Sequence, residues 1–197
     1  MADDKRGRDK QARDAERRQQ EREIDAAVER GDEPEPPLAP ELLDDVEAEL
    51  EAVSFPATGA EVVAAVGDHE IRAPTATYTV AELVPDADEE RFESPATVRK
   101  RVRRPRVAAT MKRIVEATAT LQRVDLDGSQ RTGYEKTLTE LATVAPDTEG
   151  VETIGDWIVD RIRDDGTLPG SRAVRREAAS FCRERGYDVS KDDWLGI

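Results

Sequence analysis

The chain has no asparagine at all, one cysteine (Cys182), one histidine (His69) and only three Phe, three Tyr and two Trp among its 197 residues. A single cysteine excludes an internal disulfide, and a single histidine excludes a zinc site built on a histidine cluster. One Cys and one His far apart in sequence are weak material for a nucleophile–base pair. The phosphate-cradling, dinucleotide-binding and nucleophile-elbow patterns are all missing. Carboxylates, by contrast, are too abundant for any acid–base pair to stand out. These absences predict a non-enzymatic protein with no cofactor and no metal. Apolar runs are short, well under the about 18 residues that a membrane span needs. No secretory h-region or lipidation motif is present either, so the chain is expected to be soluble and cytoplasmic, with no membrane partner.

Lysine is scarce as well, at six of thirty basic residues, while Asp and Glu number 44 and the formal net charge is −14. Acid excess, Arg over Lys, absent Asn and plentiful Ala, Val and Thr together resemble a cytosolic protein adapted to very high salt. With few aromatics, the core must be small and made mainly of Val, Leu, Ile and Ala.

Against this acidic background one stretch is purely basic. From Arg99 to Arg113 there are eight Lys or Arg and no acid, whereas residues 31 to 98 hold two Arg against eighteen acids. Ser94 is a good N-cap and Pro95 suits the first helical position. Pro105 cannot continue that helix and is expected to start a second one, running to about Leu121. On a 100° wheel Val107, Met111, Ile114, Val115 and Leu121 share an arc, with Arg106, Lys112 and Arg113 opposite.

Three expectations compete for the basic side. An acidic helix elsewhere in the chain can pair with it, a protein partner can, or a nucleic acid can. For the last, the candidate residues are Arg99, Lys100, Arg103, Arg104, Arg106 and Arg113, joined by Arg172, Arg175 and Arg176 further on. High salt weakens that third reading. Nucleic-acid affinity falls by roughly 0.9 log units per phosphate contact for each decade of salt, and the stretch offers no aromatic for base stacking.

The remainder of the chain reads as short helical units. Residues 1–40 form a charged arm, disordered or a lone helix, and a Pro-rich acidic linker. Glu41 to Val53 is an amphipathic helix with Leu42, Leu43, Val46, Leu50 and Val53 on one stripe, and its acidic face is the intramolecular candidate mate for the basic stretch. Thr58 is expected to cap a helix through Val66, closed by Gly67. Ile71 and Tyr78–Val80 suit a small hairpin flanking Arg72 to Ala76, with a short helix over Thr79–Leu83 as the alternative. Asp86, Asp88, Glu89 and Glu90 read as a solvated acidic turn. A turn-rich connection, V-D-L-D-G-S-Q-R-T-G, then precedes a helix from Tyr134 to Val144, and residues 145–150 make a polar break.

In the last unit Val151, Ile154, Trp157, Ile158 and Ile162 mark one helix. Ser171 is expected to cap another, through Arg185, with Val174, Ala178, Phe181 and Cys182 buried and Gly186 ending it. Its arginines are expected to pair with Asp160, Asp164, Asp165 and Glu177. Tyr187, Val189, Trp194, Leu195 and Ile197 can fold back over it. Buried among apolar neighbours, Cys182 should be an inert thiol.

The run F-P-A-T-G-A-E-V-V-A-A-V-G-D-H-E-I followed by Y-T-V-A-E-L-V-P-D-A-D-E-E-R-F-E-S-P-A-T-V resembles a haloarchaeal family known only as a domain of unknown function. A-E-L-V-P with F-E-S-P-A-T-V is also similar to a short bacterial domain of unknown function. The first resemblance spans much of Phe55 to Val102, and L-P-G-S-R-A-V-R-R-E-A-A-S-F-C resembles the same haloarchaeal family. It implies a small helical module and no assigned activity. The phrase I-V-D-R-I-R-D-D-G-T-L-P-G-S-R-A-V-R-R-E is similar to the first-to-second helix passage of some winged-helix regulators, which would place reading residues at Arg172, Arg175 and Arg176. Too few residues follow Gly186 for a further helix and wing.

The expected protein is therefore mainly α: small helical modules with one short β-hairpin at most, and a disordered or single-helix N-terminal arm. Residues 1–40 are the arm and linker, 41–145 an acidic helical module carrying the basic helix pair, and 146–197 a helical hairpin. The leading function is an adaptor of a salt-loving archaeon that binds protein partners through helical faces. The alternative is a nucleic-acid or ribonucleoprotein factor using helices 99–113 and 172–185. Oligomeric state is not legible.

Overall fold

A computed structural model describes residues 36–74, 76–121, 124–144 and 149–187. The arm and most of the linker expected over residues 1–40, part of the break at 145–150, and the cover expected from Val189, Trp194, Leu195 and Ile197 lie outside the described residues.

Local chemistry sets the helix starts. A 3₁₀ turn, Pro40–Leu43, runs into α1 (Asp44–Leu50). A two-residue strand β1 (Ala57–Thr58) leads into α2 (Gly59–Val66), where the Thr58 hydroxyl accepts from the Glu61 amide at 3.2 Å and the Glu61 carboxylate accepts from the Thr58 amide at 2.8 Å. This reciprocal box satisfies two otherwise orphan donors. Strands β2 (Glu70–Arg72) and β3 (Thr77–Thr79) form the hairpin, with Ile71 opposite Tyr78. Thr79 then starts the one-turn α3 (Val80–Leu83), its amide donating to Glu82 at 2.7 Å. Hairpin and short helix, weighed against each other in the sequence, both exist side by side.

The second strand pair joins β1 to β4 (Arg91–Phe92), antiparallel, with Ala57 opposite Phe92. Helix α4 (Pro95–Val102) begins at Ser94, whose amide donates to the Thr97 hydroxyl at 3.2 Å. Pro105 ends that run and opens α5 (Pro105–Ala119), as its ring requires. Three long helices complete the described residues: α6 (Gly128–Val144), α7 (Glu149–Asp165) and α8 (Ser171–Arg185).

Apolar burial divides into two clusters. Leu43, Val46 and Leu50 meet Val62, Ile71, Leu83, Phe92, Val98 and Val102 in the first. The second gathers Met111 and Ile114 of α5 with Leu138 and Leu141 of α6, Ile154 and Ile158 of α7, and Val174 and Ala178 of α8. Helix α5 belongs to both, because Ala108 packs into the first cluster while Val107, Met111 and Ile114 pack into the second. Buried packing therefore runs across the sequence boundary expected at 145, and the C-terminal hairpin is part of a four-helix core with α5 and α6.

Close approach of these helices depends on two glycines. A Cβ on Gly155 of α7 would stand 2.4 Å from the Thr110 methyl of α5, and one on Gly133 of α6 would stand 2.6 Å from the Ser171 hydroxyl. Both distances are far inside van der Waals contact, so a larger residue at either position requires the neighbouring side chain or its helix to move.

Several expectations are corrected. The helix expected over 41–53 is a 3₁₀ turn followed by α-helix that ends at Leu50, and Leu42 on its expected apolar stripe is exposed. Helix α6 starts at Gly128, not Tyr134, because the Asp127 carboxylate accepts from the Gln130 amide at 2.8 Å and caps it. Gly133, read from sequence as part of a turn, is helical and serves the contact with Ser171. The N-cap of α8 is Gly170, with Ser171 the first helical residue, and the Gly170 carbonyl accepts from Ala173 at 2.8 Å. Gly186 closes α8 in the left-handed region at φ 70° as expected, and Tyr187 then packs its ring 6.0 Å from that of Phe181.

Candidate anionic-partner groove

The basic stretch is bent at Pro105, and the bend distributes its cations in several directions. Arg99 turns toward the first helical turns of the described chain, donating to the Pro40 carbonyl at 3.0 Å and pairing with Asp44 at 3.2 Å and with Glu47. The acidic face of α1 is therefore a mate for part of the stretch, as one of the three expectations held. Lys112 pairs with Glu116 one turn on, and Arg113 reaches Asp156 of α7. Such surface pairs are each worth roughly 0–1 kcal/mol.

At the bend itself lies a groove of about 320 Å³. Lys100, Arg103 and Arg104 rim it, Val107, Ala108 and Met111 floor it, and Glu135 and Thr139 of α6 stand on the far side. Pro37, close to where the described chain begins, forms one end. Next to Pro37, Leu38 is buried, its amide donating to the Arg103 carbonyl at 2.8 Å while Arg103 Nε donates back to the Leu38 carbonyl at 3.4 Å. Lys100, Arg101, Glu135 and Thr139 also line a second hollow between α4 and α6, about 510 Å³, which adds Arg91 and Lys136. The two together make a channel with cations along α4 and at its bend, aliphatic side chains below, and two carboxylates, Glu135 and Glu140, on the α6 wall.

Between the channel and the core sits a charged group that sequence reasoning placed in solvent. Glu90 was read as part of a solvated acidic turn, but its side chain is fully buried. Its carboxylate meets Arg101 of α4 at 3.3 Å and Arg131 of α6. Arg101 also reaches Glu135 at 3.5 Å, so it is tied to α6 directly as well as through Glu90. Leaving a buried ion without its partner typically costs 3–5 kcal/mol, which explains why two arginines converge on one carboxylate here. The sequence did hold a signal. Glu90, Arg91 and Phe92 alternate buried, exposed, buried, the period of an extended strand, so Glu90 shares the inward side with Phe92.

The other candidate cations are dispersed. Arg106 and Arg113 line a separate hollow of about 280 Å³ with Tyr78, Glu152 and Asp156. Arg172 and Arg176 are exposed on α8, and half-buried Arg175 donates to the Ser171 carbonyl at 3.4 Å. Arg176 borders a hollow of about 400 Å³ beside Trp157, over whose ring Arg161 is stacked at 5.4 Å. Ion pairing in this hairpin departs from expectation, since Asp165 is taken by Arg161 of its own helix at 3.0 Å and Arg185 of α8 pairs with Glu149 at the start of α7.

Elsewhere, His69 Nδ1 lies 3.0 Å from Glu49. Cys182 is fully buried, and burial pushes its thiol above the ordinary range although Arg183 pulls the other way. Among the described residues no group of three or more His, Cys, Asp or Glu is placed to hold a metal ion, and no helix is long and apolar enough to cross a membrane.

Residues 41–110 match the model of a family described as a family of unknown function (DUF5789). The matched stretch is less than half of the chain and covers everything from the 3₁₀ turn to the first turns of α5, so it carries the cationic side of the groove but not the α6 wall. The resemblance expected over Phe55 to Val102 falls inside it. No curated protein and no solved structure matches the chain.

Proposed function

We propose that this is a non-enzymatic binding protein, an adaptor of the cytoplasm of a salt-loving archaeon, that holds an acidic polypeptide segment in the groove at the α4–α5 bend. The observation that carries the reading is the pairing of a cationic rim, Lys100, Arg103 and Arg104, with an aliphatic floor of Val107, Ala108 and Met111. A segment that alternates carboxylates with small apolar side chains meets both. The groove takes the place of the apolar helical faces expected to carry recognition, since those faces are buried. Among the described residues Leu42, at 48% exposure, is the one large apolar side chain left in solvent. The aliphatic floor also supplies what charge alone lacks in concentrated salt, where the Debye length shrinks to about 3 Å at 1 M.

A nucleic acid is the second reading, favoured by the clustering of Lys100, Arg101, Arg103 and Arg104 on one bend. Against it, the basic stretch carries no aromatic side chain for base stacking. Fluorescence anisotropy with a labelled ten-residue peptide that alternates Glu and Ala, and with a labelled ten-nucleotide oligothymidylate, at about 50 mM NaCl, separates the two. The peptide is expected to bind, and Lys100→Glu with Arg103→Glu to weaken it by at least about tenfold, or about 1.4 kcal/mol. Unchanged peptide affinity in that variant sinks the groove as the binding surface, and binding of the oligothymidylate alone replaces the first reading with the second.

A further inference from the structure

The two walls of the channel differ in charge. Thr132, Glu135, Lys136, Thr139 and Glu140 of α6 border its larger hollow, at the three- and four-residue spacings that put side chains on one side of a helix. At about 1.5 Å per residue, Thr132 to Glu140 spans about 12 Å, the reach of about four residues of extended chain. Opposite lie the cations of α4 and its bend. Within the α6 wall the carboxylates are not equivalent. Glu135 has Arg101 at 3.5 Å. Glu140 is half-buried, yet among the described residues nothing pairs with its carboxylate, and Lys136, one turn earlier and exposed, forms no ion pair with it. An unpaired carboxylate at this place repels a uniformly acidic partner and favours one that brings a cation to it. Specificity is built from such repulsive elements as well as from attractive ones.

Resting on the reading of the groove as a surface for acidic polypeptide, we infer that the partner segment carries one basic side chain among its carboxylates and that Glu140 receives it. The carboxylates of the segment face Lys100 and Arg103. Its Lys or Arg crosses the hollow beside Thr132 and Thr139, whose methyl groups suit the methylenes of a long basic side chain. With anions held on the α4 side and one cation on the α6 side, the segment binds in one register and one direction. A nucleic acid brings no such cation, so the residue that selects the segment also disfavours a polyanion.

A peptide series tests this with the full chain unchanged. In the ten-residue peptide that alternates Glu and Ala, each Glu in turn is replaced by Lys and, in a matched set, by Gln, which separates loss of repulsion from gain of attraction. By fluorescence anisotropy at about 50 mM NaCl, Lys at one of the positions should bind about fivefold tighter than Gln at the same position, the scale of one partly exposed ion pair. Glu140→Gln should erase that preference while the Gln peptide keeps its affinity within about twofold. If no Lys peptide exceeds its Gln counterpart while the Glu–Ala peptide still binds through Lys100 and Arg103, the basic residue is overturned and the groove remains a surface for purely acidic segments. A Lys preference that survives Glu140→Gln puts the cation elsewhere and overturns the role of Glu140. Failure of every peptide to bind removes the proposed function, and the selectivity at Glu140 falls with it.

Discussion

Tyr134 carries the clearest residue-level consequence of burial. Its ring is enclosed in the four-helix core, its hydroxyl donates to the Pro169 carbonyl, and the Gln130 amide donates to that hydroxyl at 3.2 Å. Burial pushes its pKa up to about 12, the hydrogen bond from Gln130 offsetting part of the rise. An unfolded phenol ionises near 10. Between those values the unfolded chain releases the proton and the folded one keeps it, so stability is whole below about pH 10 and falls as the pH approaches 12, by roughly 2–3 kcal/mol. Tyr134→Phe should lose about 1 kcal/mol at pH 8, the net value of a hydrogen bond, because Gln130 still serves the Pro169 carbonyl at 3.0 Å. It should also lose Tyr134's share of the decline between pH 10 and 12, and the Cys182 thiol, likewise raised by burial, accounts for part of what remains. Urea midpoints for both proteins at pH 8 and pH 11.5 decide it. A phenylalanine variant that declines as steeply as the parent would assign the alkaline loss to another group.

At the scale of elements, the crossing of α5 and α7 is a tight constraint on the four-helix core. Adding a methyl at position 155 improves helix propensity by about 1 kcal/mol, yet it drives a Cβ to 2.4 Å from the Thr110 methyl. The clash should win, because overpacking in a closed core costs typically 1–3 kcal/mol. Gly155→Ala alone is therefore expected to lower stability. Thr110→Ser removes the opposing methyl, so the double variant should recover at least half of the loss, a coupling that a double-mutant cycle in urea reads directly. Additive losses would mean that α7 shifts as a body and the contact does not limit it.

The same elements show what was legible and what was not. Boundaries set by local chemistry could be read: Ser94–Pro95, Thr58 with Glu61, Pro105 and Gly186 act within one turn, and the structure uses all four. The apolar stripes of α5, α7 and α8 were equally readable from their period. The start of α6 was not, since Gly128, Ser129 and Gly133 argue locally for a turn, and what overrides them is a cap from Asp127 and packing against Ser171, a residue 38 positions away in the chain. Of the candidate cations, Lys100, Arg103 and Arg104 line one groove, because one proline bend gathers neighbours in sequence. Arg101 and Arg131 escaped notice because their role depends on a buried carboxylate brought from a different loop, and nothing local to either arginine reports it.

On the scale of the whole molecule, two electrostatic effects respond to salt in opposite directions. The chain carries a net charge of −14, and self-repulsion at that density destabilises the compact state. Raising salt from about 0.1 to 1 M shortens the Debye length from about 10 to about 3 Å and screens that repulsion. The exposed pairs, such as Arg99 with Asp44 and Arg161 with Asp165, weaken too, but each is worth at most about 1 kcal/mol. Glu90, enclosed between Arg101 and Arg131, is largely shielded from bulk ions. Net stability should therefore rise with salt, seen as a urea midpoint that increases between about 0.1 and 2 M NaCl. Binding at the groove should move the other way over the same range, because its rim charges are exposed to the same screening. The two slopes need not mirror each other. Where the aliphatic floor of Val107, Ala108 and Met111 contributes, affinity for an acidic peptide falls to a plateau, whereas affinity for a bare polyanion falls without one, by roughly 0.9 log units per contact per decade. A stability that instead declined across this range would show that attractive pairs outweigh the acid excess.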